Sequence, residues 1–157
     1  MEIRTGPAYR WKTGLSAVGS GSAFLIAACG VAVSAWAHAE TQLGVDPASR
    51  FPHFWIFQLM LFGLLIPMIL EMFVKRDPFG FLRAPKWARN ILYGLFVYYA
   101  VNFYVFIYWS VDNLSGRVTW RMFSSGWLLL FATAMVYYSV RFSDYRRIRG
   151  QTRATSA

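Results

Sequence analysis

The chain has 157 residues, of which 57% are hydrophobic and only 15% charged, so it is long enough for one compact unit, too short for two ordinary domains and too apolar for an ordinary soluble domain of its size. Mean hydropathy is only +0.37, because seven Trp and nine Tyr score as mildly polar although both suit a membrane interface. The net charge of +9 would suggest nucleic acid for a soluble chain; here the basic residues bracket apolar stretches, so anionic lipid headgroups are the expected counter-charge and no nucleic acid is expected.

A bilayer core about 30 Å thick needs roughly 20 mainly apolar residues in helical form. Four stretches meet that requirement, at residues 15–37, 54–74, 91–111 and 122–140. The expected fold is therefore all-α: an integral membrane four-helix bundle, with residues 1–157 forming a single transmembrane domain. Cys29 is the only cysteine, so an internal disulfide is ruled out.

The first span carries small residues at three- and four-residue steps: Gly19, Ala23, Ala27, Gly30 and Ser34. Such a stripe lets helix backbones approach closely, and helix packing is its expected role. The pattern Ala35-Trp36-Ala37 or Ala37-His38-Ala39 also suits a signal-peptide cleavage site. The apolar run before it exceeds the usual 7–15 or so residues of such a signal, so an uncleaved helix is expected. Between spans one and two lie His38, Glu40, Asp46 and His53. Imidazole and carboxylate are metal ligands, and a histidine pair can hold haem or a pigment. His38, His53 and Glu40 are thus the metal candidates, although their spacing matches no established site.

The second span follows Pro52, contains Pro67 and ends at Lys75-Arg76. Glu71 lies about one turn from that end, where a carboxylate is costly unless paired, protonated or wetted. Lys75 follows at i+4 and Arg141 should close span four at a similar level, so an anchoring ion pair is expected, with cation coupling as the alternative. The third span is aromatic, with nine Phe, Tyr or Trp between residues 91 and 110. A buried phenol needs a partner, and Asn102 is the expected one for Tyr98 or Tyr99. With His38 and His53, Tyr98 and Asn102 are the cofactor candidates. The fourth span is entered through Trp120 and Arg121, and the small polar tail at residues 151–157 is expected to be disordered.

Basic residues set the expected orientation. Arg4, Arg10 and Lys12, then Lys75, Arg76, Arg83, Lys86 and Arg89, then Arg141, Arg146, Arg147, Arg149 and Arg153 fall on one side; only Arg50, Arg117 and Arg121 fall on the other. The positive-inside rule places both termini in the cytoplasm, and the plasma (inner) membrane of a prokaryote is the expected location.

No phosphate loop, His-Glu-x-x-His, nucleophile elbow or Cys-x-x-Cys is present in the sequence, so no catalytic residue is assigned and no activity of its own is expected. No cofactor is expected either. The favoured reading is an accessory or scaffolding subunit of a larger membrane complex, bound to lipid and to other membrane subunits or copies of itself. The alternatives are a small oligomeric transporter or pore using Glu71 and Asn102, and a haem- or pigment-binding redox subunit.

Overall fold

A computed structural model describes residues 7–45, 55–75, 84–109 and 116–154. Among these the fold is all-helical, with four helices: α1 (Pro7–Gln42), α2 (Trp55–Lys75), α3 (Lys86–Trp109) and α4 (Gly116–Ala154). Three segments are long and apolar enough to cross a membrane: Gly19–Gln42 in α1, Lys86–Tyr108 in α3 and Val118–Asp144 in α4. In α2 the apolar stretch is shorter, Ile56–Leu70.

The helix limits depart from the expected spans where local chemistry outweighs hydropathy. α1 begins at Pro7, where proline suits a first turn because that N–H has no helical partner. It ends at Gln42 rather than near residue 37. Gly44, at φ 83°, takes the left-handed conformation that glycine adopts without a Cβ penalty. Val45 N–H donates to Glu40 O at 3.0 Å and Gly44 N–H to Thr41 O at 3.1 Å. Those paired bonds form a Schellman cap, which satisfies the last carbonyls. α3 starts five residues before the expected position, with Arg89 N–H donating to Pro85 O at 3.2 Å. α4 runs 39 residues, about 58 Å at 1.5 Å per residue, and passes well beyond residue 140. Residues 151–154, expected to be disordered, belong to this helix. Arginines near a helix C-terminus favour that state, as good helix formers and as charges that suit the dipole.

α1 and α4 make the most extensive contact, and they run antiparallel. A Cβ added at Gly21 would touch Phe142 at 3.4 Å, Gly30 lies under the Phe131 ring, and His38 meets Ser124 at 2.8 Å. From Gly21 to His38 this seam spans about 26 Å of helix. It also brings the start of α1 and the end of α4 to the same end of the bundle. Ala27, Gly30 and Ser34 of the small-residue stripe are buried in the seam, whereas Gly19 is exposed and Ala23 half-buried. Phe131, only 1% exposed, is the large side chain that the missing Cβ of Gly30 admits.

The other two helices lean on this pair. α3 packs on α4, with Ala88 and Leu92 against Ala132 and Val136, and Tyr99 lies 3.1 Å from where a Cβ on Gly126 would stand. α2 touches α1 and α4 more lightly, contributing Leu61, Leu64 and Met68 to the core. Tyr138 O–H donates to Leu64 O at 2.8 Å.

Candidate functional site

The principal polar cluster among the described residues centres on His38. Because the glycine cap at residue 44 carries α1 through Gln42, His38 is held inside a helix instead of ending one. Gln42, one turn on, then lies on the same face. His38 Nδ1 is 2.8 Å from Ser124 Oγ. His38 Nε2 is 2.6 Å from the Tyr98 hydroxyl and 3.1 Å from Gln42 Nε2. The His38 and Tyr98 rings meet edge to face at 5.4 Å. One imidazole therefore joins α1, α3 and α4.

Proton positions follow from the donors. Ser124 Oγ lies within reach of both His38 Nδ1 at 2.8 Å and Arg121 O at 3.3 Å; with its proton on Arg121 O it accepts from an Nδ1–H imidazole. Nε2 is then bare and accepts from the Tyr98 O–H and the Gln42 N–H. In that tautomer the single lone pair of Nε2 is shared between two donors, of which the Tyr98 hydroxyl at 2.6 Å is the nearer. Both ring nitrogens lie within hydrogen-bond distance of protein groups.

The other candidates separate. Asn102 is buried, 4% exposed, but its Nδ2 donates to the backbone oxygen of Tyr98 at 3.0 Å. The expected bond from the Tyr98 phenol to Asn102 is replaced by the bond to His38, because Asn102 is one turn along the same helix and reaches the ladder carbonyl first. Tyr99 turns toward Gly126 and stacks on Phe103 at 6.0 Å. Glu40 sits on a different face of α1 from His38, because two residues along an α-helix is a rotation of about 200°. No group of three or more His, Cys, Asp or Glu comes together among the described residues. His53 lies outside the described residues, as do the side chains of Glu71 and Lys75, so the expected Glu71 ion pair does too. Arg141 donates to the Tyr137 hydroxyl at 3.3 Å, with its guanidinium 5.9 Å from that ring centre.

Two participants were missed by sequence reasoning. Ser124 carries no motif, and only its position opposite His38 on an antiparallel helix makes it a partner. Gln42 was detectable as His38+4, but only once Leu43-Gly44-Val45 was read as the helix end.

A second feature lies toward the other end of the seam. An open groove of about 590 Å³ separates α1 from α2, with α4 at its base, and Gly19, Ala23, Met60, Gly63, Pro67 and Arg141 are among its lining residues.

Compared with protein-family models, curated proteins and solved structures, the chain matches none. Its function is therefore read from its own residues.

Proposed function

We propose that this chain is a four-span membrane protein with both termini in the cytoplasm, acting as an accessory or scaffolding subunit of a larger complex in the plasma membrane of a prokaryote. The observation that carries the reading is the disposition of the outer helices. α2 and α3 each rest one narrow edge on the α1–α4 pair and leave broad apolar faces outward, with Leu59, Phe62 and Ile66 on α2 and Phe96, Val97 and Val101 on α3 all more than half exposed. Lipid covers such faces well, and so do neighbouring transmembrane helices. Polar groups inside the spans support the same reading. His38, Tyr98 and Ser124 are spent on holding helices together, which suits a packing unit. The antiparallel seam, which brings the start of α1 and the end of α4 to one end of the bundle, supports a common side for the termini, and the thirteen-to-three division of basic residues supports the cytoplasm as that side. α2 is 21 residues long, about 31 Å, which suits a fourth span.

Gentle purification followed by native mass measurement and an absorption spectrum tests this reading. Stoichiometric membrane partners on the 18.0 kDa chain are expected. A homo-oligomer alone would favour the transporter, and a Soret or pigment band would favour the redox subunit; either would displace the proposal.

A further inference from the structure

α3 is held unevenly along its length. In its first half Ala88 and Leu92 are buried against Ala132 and Val136, with Leu95 and Val140 packed on them. In its second half Val101, Phe103, Tyr104, Ile107 and Tyr108 are all exposed. What turns inward there is Tyr98 onto His38, Tyr99 over Gly126 and Asn102, whose amide is bonded to its own helix. This half of α3 is tied to α1 by the 2.6 Å bond between the Tyr98 hydroxyl and His38 Nε2.

That bond is sensitive to a single proton. Histidine is the side chain whose ordinary charge change falls between about pH 5 and pH 8. In the Nδ1–H tautomer, Nε2 accepts the phenol proton; a proton added at Nε2 sets two donors against each other at 2.6 Å. The phenol must then turn its proton toward apolar surroundings, where an unsatisfied donor is costly. The imidazolium also places a charge inside a span, which hydrocarbon disfavours. His38 lies one helical turn, about 6 Å, before the end of the Gly19–Gln42 segment. Gln42 at that end is exposed, with its Nε2 3.1 Å from the ring, so interfacial water is close enough to supply the proton and to solvate the charge. The charged and titratable groups around the ring are Tyr98 on α3 and Arg121 on α4, whose positive charge reaches it; an imidazolium there faces a like charge. On α1, Glu40 sits on a different face, and α2 carries no titratable side chain from Ile56 to Leu70.

We infer that His38 is a proton-operated latch. Neutral, it holds the second half of α3 against α1; protonated from the water at the Gln42 end, it lets that half swing away while the half around Leu92 stays packed. One proton is added at Nε2 and no covalent bond between heavy atoms changes. In the proposed orientation that end faces outward, so the latch responds to acidity outside the cell. The choice of side is all that it takes from that reading.

The full chain in nanodiscs tests the latch, with Cys29→Ser and spin labels on Leu43→Cys and Tyr108→Cys, both at exposed positions. A tilt of about 10° beginning at Leu92 carries Tyr108, about 24 Å along the helix, by about 4 Å. The distance between the labels is expected to lengthen by about that much from about pH 8 to about pH 5. A second pair on Leu25→Cys and Ile91→Cys, also exposed but level with the packed half, is expected to stay constant. The chain has two histidines, so imidazole NMR of a histidine-labelled His53→Gln chain reads His38 alone, and its protonation is expected to follow the distance change. His38→Gln is expected to lose the pH response. A parent distance that ignores pH, or one that changes while His38 stays neutral, overturns the latch, as does an equal response in a folded His38→Gln chain. If His38→Gln does not fold, the two titrations of the histidine-containing chain decide by themselves. Nanodiscs open both faces to the buffer, so the result is independent of orientation, which cysteine labelling in intact cells decides separately.

Discussion

At the scale of single residues, the same change at different glycines should have opposite signs. A Cβ on Gly30 would overlap the Phe131 ring, so Gly30→Ala must push the α1–α4 seam apart or force Phe131 off its rotamer. Overpacking of this kind costs about 1–3 kcal/mol, read as a lower thermal midpoint in detergent. Gly94 has nothing within 4 Å of its added Cβ, and Gly94→Ala is expected to stabilise α3 by about 0.5–1 kcal/mol, the helix-propensity difference alone. If the two substitutions shift the midpoint in the same direction, the packing described for Gly30 is wrong. The histidine junction makes a different prediction. Tyr98→Phe removes one bond to His38 Nε2 but leaves Gln42 in place, so the loss should be small, about 0.6 kcal/mol, in line with interhelical hydrogen bonds in membranes. His38→Ala leaves Tyr98 and Ser124 without their shared partner and should cost more than either single loss. A double-mutant cycle on His38 and Tyr98 that returns no coupling would dissolve the junction as an energetic unit.

At the scale of elements, the ends and the weakest helix are the points to press. Gly44 closes α1 at a positive φ of 83°, and a side chain there is strained by about 1–2 kcal/mol. Gly44→Ala should therefore fray the last turn of α1 and loosen the Gln42 contact to His38, seen as faster amide exchange at Val45 and Leu43. Gly44→Asn should be milder, since asparagine tolerates this conformation. α2 is held by a short list of core side chains and by the bond from Tyr138 to Leu64 O. Tyr138→Phe should open α2 before the α1–α4 pair: exchange within Leu61 to Met68 rises while that around Phe131 is unchanged. Equal acceleration at both would mean that the four helices open as one cooperative unit.

For the whole molecule, sidedness and transport are the properties to test. With Cys29 replaced by serine, a cysteine at Leu43, which is 79% exposed, should react with an impermeant reagent from outside intact cells. A cysteine at Arg147 should react only after the membrane is opened, and reversal of the pair would invert the proposed orientation. Glu71→Gln separates the scaffold from a cation-coupled transporter. A folded, correctly assembled variant that has lost a proton-coupled flux present in the parent would put the transporter first.

Much of the architecture was legible in the chain because hydropathy over roughly 20 residues is a local property and needs no knowledge of neighbours. The all-helical class and three of the membrane-length helices could both be read that way. The helix ends were read less well. Hydropathy stops where polar residues begin, whereas α1 stops where Gly44 can turn and α4 continues because arginine-rich sequence still favours helix. The tertiary structure alone decided which partner each polar side chain found. Tyr98 and Asn102 are one turn apart and invite pairing in sequence, yet Asn102 is spent on its own helix while the Tyr98 phenol crosses to His38, 60 residues away. Only the antiparallel register of α1 against α4 brings Ser124 opposite that histidine and Phe131 over Gly30, because long-range contact depends on how helices cross and not on what surrounds a residue in the chain.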